Sequence, residues 1–109
     1  MTDIDIPFSS AMALAAIHGM KIATTRSERK GKIGDTFSLP ILGAGSHHTI
    51  AVFRLIEIIA VDLLTVKNLY FRLEGFKSPE EFERTWRALH RGHFTTGKLY
   101  YIHFFGRIA

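Results

Sequence analysis

Three side chains that can perform acid–base and acyl chemistry without a metal lie close together. They are Lys21, Thr24 and Arg26, in the stretch Gly19-Met20-Lys21-Ile22-Ala23-Thr24-Thr25-Arg26. An ammonium acts as a base only when its pKa falls from about 10.4 towards neutrality, which burial or a neighbouring cation achieves. A lysine that has lost its proton beside a threonine hydroxyl is a nucleophile–base pair. The same octapeptide also reads as an ordinary strand start with a solvated lysine, since most charged side chains sit exposed. Glu74 stands between an apolar helix-like run and Gly75-Phe76. A carboxyl there either stays solvated, exchanges a proton, or orients a lysine.

Spacing constrains how these groups meet. Arg26 shares strand parity with Thr24, so both face one side and the guanidinium can stabilise charge there. Lys21 is three positions from Thr24, and in a regular strand the two point to opposite faces. They converge only if Lys21 lies in a helix–strand turn made at Gly19, or if the strand bulges.

Other candidates carry less chemistry. His47 and His48 are adjacent, and His90 and His93 have Gly92 between them. Neither pair has an acid close in sequence, and a catalytic metal usually takes three protein ligands, so no metal and no cofactor is expected. Gly43-Ala44-Gly45 could cradle a phosphate, but it lacks the Lys-Ser/Thr ending of a P-loop and reads as a flexible loop. Tyr100, Tyr101, Phe104 and Phe105 could stack on bases or fill a core.

The elements that must position these groups follow from periodicity. Residues 8–18 read as a helix with Phe8, Met12, Ala15 and Ala16 at helical spacing, a Ser9 or Ser10 cap and Gly19 as its stop. Residues 21–26 read as a strand, 27–35 as a loop turning at Gly34-Asp35, and Thr36–Ile41 as a second strand. The run from Thr49 to Val61 has few polar groups and reads as a central strand buried on both faces. Residues 65–73 read as a short helix. Ser78 caps a helix over 79–90, with Pro79 at its first position, Glu81 completing a capping box, and Phe82, Trp86 and Leu89 as its apolar stripe. Leu99–Ile108 is a final aromatic strand. The order is α+β with a small, strongly curled sheet.

The 109 residues suit one domain. There is no Cys, hence no disulfide and no thiolate site. No apolar run reaches the length of about 18 needed to span a membrane, and the acidic Met1-Thr2-Asp3-Ile4-Asp5 start is unlike a signal peptide. A cytoplasmic protein with no membrane partner is the expectation. The net charge is +4, with basic clusters at Arg26, Arg29, Lys30 and Lys32 and at Arg84, Arg87, His90, Arg91 and His93, which favours anionic partners.

Taken together, the Gly19–Arg26 stretch, Gly34-Asp35, the Thr49–Val61 run, Glu74-Gly75-Phe76, the Ser78-Pro79-Glu80-Glu81-Phe82 helix start with Trp86, and the aromatic terminal strand resemble the ASCH domain of the PUA-like superfamily. The resemblance covers residues 1–109 and implies a PUA-like curled β-barrel with flanking helices around a cleft. In length and layout the chain is most similar to the small bacterial N(4)-acetylcytidine amidohydrolases. That resemblance implies catalytic Lys21, Thr24 and Glu74; Arg26, by its shared parity with Thr24, is expected to bind substrate in the same cleft. Thr24 would attack the acyl carbonyl, Lys21 would take the hydroxyl proton, and Glu74 would protonate the leaving nitrogen of a modified nucleoside. Glu74-Gly75-Phe76 departs from the amidohydrolase pattern and matches generic ASCH domains. The alternative is an RNA-binding or RNA-cleaving ASCH module with RNA as partner, which the basic clusters favour.

Overall fold

Strand pairing in this chain is organised by one long segment that serves two neighbours. The computed structural model describes residues 2–41 and 49–109. Its sheet is antiparallel, in the order β1 (Ala23–Arg26), β4 (Leu99–Arg107), β3 (Thr49–Asp62), β2 (Thr36–Ile41). β3 pairs with β2 as far as Arg54, Phe53 opposite Phe37, and with β4 from Phe53 onward, Ile59 opposite Ile102. The β3–β4 register shifts between Leu55 and Glu57. Such a bulge adds a residue to one strand and strengthens its twist. The result is a curled, open half-barrel with β1 and β2 as its edges.

The bulge also reverses which residues of β3 face inward. Before it, Ala51, Phe53 and Leu55 enter a core with Phe37 and Phe105; after it, Ile58 does. Phe37 stacks on Phe53 at 5.3 Å, and Phe105 meets both edge-on at 5.3 and 5.4 Å. Offset and T-shaped aromatic pairs of this kind contribute about 0.5–1.5 kcal/mol each beyond their buried area. The opposite face has its own core, in which Ala23, Tyr100 and Ile102 pack on Phe82 and Trp86. The expectation that β3 is buried on both faces is corrected. Ile50, Arg54, Ile56 and Glu57 are exposed, because among the described residues the second core meets β3 at Ile59 and Val61 and not at these positions.

The helices cap as their sequences require. α1 (Ser10–Ile17) begins at Ser9, whose hydroxyl accepts from the Met12 N–H at 3.3 Å. After β3, the Asp62 carboxylate accepts from the Thr65 N–H at 2.9 Å and starts the helical turn α2 (Leu63–Thr65). This turn runs into a π-helical segment, Val66–Tyr70, where a plain helix over 65–73 was expected. α3 (Pro79–Leu89) starts at Ser78, whose hydroxyl accepts from the Glu81 N–H at 3.1 Å, and it buries Phe82 and Trp86. Leu89, expected in the same stripe, is exposed at the rim of a cavity. Among the described residues no helix is long and apolar enough to cross a membrane.

Candidate active site

Lys21 lies outside β1, in the turn that follows α1. Gly19 takes φ +75°, and the Met20 and Lys21 N–H groups both donate to the Ala15 carbonyl, at 2.9 and 3.2 Å. Left-handed backbone is cheap for glycine and costly for other residues, which is why the turn falls here. Lys21 is therefore freed from strand parity and need not oppose Thr24.

A second segment is clipped to this turn. The Ile22 and Ala23 N–H groups donate to the Leu73 carbonyl at 2.8 and 3.0 Å. Glu74 follows directly, and Gly75 turns the chain away at φ +95°. A Cβ on Gly75 would sit 3.1 Å from the Lys21 Cβ, so glycine here serves both a left-handed turn and a close approach.

The Lys21 ammonium donates to the Glu74 carbonyl at 2.9 Å and stands 3.5 Å from Glu74 Oε1. The two side chains are 3% and 4% exposed. Thr25 holds the carboxylate from the other side: its hydroxyl donates to Oε2 at 2.8 Å and its N–H to Oε1 at 3.3 Å. Thr24 is also buried. Its hydroxyl accepts from Arg26 Nη1 at 2.6 Å, and the guanidinium further donates to the carbonyls of Thr25 at 3.0 Å and Pro7 at 2.7 Å. Across the sheet from Thr24 is His103, fully buried. Its Nε2 accepts from the Lys30 N–H at 2.8 Å, which assigns the ring proton to Nδ1, 3.2 Å from the Thr24 carbonyl. Burial pushes the His103 pKa down, and with Nε2 accepting from Lys30 the ring braces β4 against the loop after β1.

β1 is an edge strand, so groups from both its faces reach one cavity of about 430 Å³. Lys21, Thr24, Thr25, Arg26 and Glu74 form its polar wall; Phe8, Met12 and Trp86 form an apolar one. The Lys21 amine is pushed below 10.5, first by burial and further by the Arg26 charge; Glu74 pulls it back. Burial likewise lowers Arg26, opposed by Glu74. The arrangement is a desolvated amine, a hydroxyl polarised by a guanidinium, and a carboxyl, all opening on one hollow.

All four residues singled out from sequence line this cavity. Two contacts differ from the simplest form of that reading: Arg26 holds the Thr24 hydroxyl, and Lys21 is engaged by Glu74. Thr25, Phe8 and Trp86 were not singled out as site residues. Alternation alone places Thr25 on the Ala23 side of β1, but nothing local reveals that Glu74 waits there. Among the described residues no three His, Cys, Asp or Glu side chains gather as a metal site. His47, His48 and the Gly43–Gly45 loop lie outside the described residues.

No family model matches the chain, and no curated protein does. Among solved structures it is similar to an ASCH domain from Lactobacillus crispatus JV V101, at 14% identity and a TM-score of 0.65, covering 97% of this chain and 79% of that one. It is also similar to a DUF984 protein from Enterococcus faecalis V583, at 21% identity and a TM-score of 0.61, covering 98% and 75%. The chain has the ASCH-type, PUA-like fold. In this ASCH-type half-barrel the cavity lies where the edge strand β1 meets α1, α3 and the segment after the π-helix.

Proposed function

We propose that this protein is an amidohydrolase that removes the acyl group from N(4)-acetylcytidine and related N(4)-acylcytosine nucleosides. The observation that carries the reading is the Lys21 amine, 3% exposed, in a cavity that also presents a guanidinium-bound threonine hydroxyl and a carboxyl. Amide hydrolysis needs an activated nucleophile and a protonated leaving nitrogen, and these groups supply both without a metal.

In this reaction the Lys21 amine, once it has given up its proton, takes the proton of Thr24 Oγ1 as that oxygen bonds to the acyl carbon. Arg26, already 2.6 Å from that oxygen, stabilises the developing negative charge. The tetrahedral centre then expels the exocyclic nitrogen of cytosine. The proton taken by Lys21 moves to Glu74, 3.5 Å away, and from there to the leaving nitrogen. Water hydrolyses the threonine ester, one of its protons returns to Oγ1, and the products are cytidine and a carboxylate.

The test is the ultraviolet shift on deacylation of N(4)-acetylcytidine. Wild-type protein turns it over, and Lys21→Ala lowers kcat by about 10²–10⁴, the usual worth of a positioned acid or base. Thr24→Val abolishes turnover. A wild-type protein inert towards several N(4)-acylcytidines ends the reading. Steeply salt-dependent binding of single-stranded RNA by such an inert protein would favour an RNA module instead.

A further inference from the structure

A second cavity, of about 420 Å³, adjoins the first and shares with it Ser27, Trp86, Leu89 and His90. The shared wall is rigid: the Trp86 and His90 rings stack at 4.0 Å, and His90 Nδ1 bonds the Trp86 carbonyl at 2.8 Å. Beyond that wall the lining is basic. Arg91, His93 and Lys98 contribute to it, and no acid does.

Three observations make this cavity an anion subsite. First, the cations are uncommitted. Arg87, one turn away, is ion-paired with Glu83, whereas neither Arg91 nor Lys98 has a carboxylate within ion-pair distance among the described residues. Lys98 rests over the Tyr100 ring at 4.7 Å, which keeps its charge beside the cavity. Second, Arg91 has φ +56°, the single non-glycine residue with positive φ among the described residues. This is the left-handed turn that ends α3, closed by the Gly92 N–H on the Arg87 carbonyl, and it fixes where the Arg91 side chain leaves the helix. Third, part of the negative end of α3 is covered by its own closing turn. The Arg87 carbonyl accepts from the Gly92 N–H at 2.7 Å, and Arg87 Nη1 donates to the Gly92 carbonyl at 2.8 Å. These two carbonyls are thus occupied, which reduces their repulsion of an anion.

We propose that the second cavity binds the phosphate of a phosphorylated substrate, so that the preferred ligand is a nucleoside monophosphate with its base in the first cavity. This deepens the reading under Proposed function and rests on it for the identity of the base. Arg91 and Lys98 hold the phosphate oxygens, and the Trp86–His90 stack is the sill over which the sugar lies.

Binding to the full-length protein is measured by calorimetry with cytidine, cytidine 5′-monophosphate and inorganic phosphate at low salt. The monophosphate binds about tenfold more tightly than cytidine, as two charge-assisted contacts allow, and more tightly than inorganic phosphate. The advantage disappears in high salt. Arg91→Gly combined with Lys98→Ala removes it while leaving cytidine binding unchanged. Glycine is at ease at φ +56°, so this variant keeps the fold. Equal affinity for cytidine and its monophosphate overturns the proposal. So does inorganic phosphate binding as tightly as the nucleotide, since the two cavities would then act separately. N(4)-acetylcytidine hydrolysed with no phosphate preference overturns the subsite alone. A phosphate preference in binding, with no hydrolysis, supports the subsite and removes the amidohydrolase.

Discussion

Two lysine–glutamate pairs in this chain share a chemistry and differ in surroundings. Lys21 and Glu74 are 3% and 4% exposed; Lys67 and Glu83 are 22% and 26% exposed, with Arg87 as a third member. At the surface the carboxylate is what shifts. Hydrogen bonds from Lys67 and Arg87 hold Glu83 below 4.5. In the interior the amine is what shifts, because the loss of water around Lys21 outweighs its attraction to Glu74. The same kind of pair is therefore a solvated brace in one place and a desolvated amine with its carboxylate in the other. Hydrogen bonding to the charged form dominates where solvent still reaches both groups, and desolvation dominates where it does not.

The comparison is broken most severely by Glu74→Ala. This leaves Lys21 buried without its carboxylate and frees the Thr25 hydroxyl, and it lowers stability by about 3–5 kcal/mol in a denaturant melt. The double variant Lys21→Met, Glu74→Leu recovers most of that loss, since an apolar pair of similar volume escapes the desolvation cost. A double variant as unstable as Glu74→Ala would show that the pair is held for the fold and not for its charges.

Gly75→Ala comes next. It forces a Cβ into backbone at φ +95° and to 3.1 Å from Lys21 Cβ. A loss of about 1–3 kcal/mol follows, with turnover reduced because Lys21 is displaced. An unchanged melting temperature would mean that the Glu74–Phe76 segment shifts freely, and the geometry of the pair would then not depend on it.

Titration sharpens the contrast. The folded pKa of Lys21 lies below 10.5, so between that lowered value and 10.5 the unfolded chain binds a proton that the folded chain lacks. Stability therefore rises with pH across this window and is lost as pH falls through the folded value. Lys21→Met abolishes that slope, read from denaturant midpoints at successive pH values. The smallest effect is Glu83→Ala. Its wild-type contribution is present above pH 4.5 and disappears as pH falls through the lowered folded value, so the variant and wild type converge in acid. A Glu83→Ala loss as large as that of Glu74→Ala would erase the distinction between the two pairs.

Much of the scaffold was legible because its signals are local. Ser78, Pro79 and the Phe82–Trp86 spacing announce α3, and Ser9 and Gly19 bracket α1. The Thr36–Ile41 and Leu99–Arg107 strands follow from their own composition. The exposed outer face of β3 was not legible, since hydrophobicity around Ile50 and Ile56 cannot report that no described helix covers them. Nor was the bulge that reverses inward-facing parity between Leu55 and Ile58. The π-helical register of Val66–Tyr70 was also hidden, because its apolar spacing suits an ordinary helix equally well.

The sequence by itself determined the element order, the helix stop at Gly19 and the shared parity of Thr24 and Arg26. These depend on residues within a turn or two of each other, where backbone sterics decide. It read Lys21 as the start of the strand, and the structure moved it into the turn before Ala23. Only the tertiary structure decided that Glu74, 53 residues from Lys21, would bring its carbonyl and carboxylate to that amine. It also decided that Thr25 would clamp the carboxylate and that Arg26 would hold the Thr24 hydroxyl. The proton affinity of an amine is set by how much water remains around it, and that quantity exists only once distant segments have closed over the site.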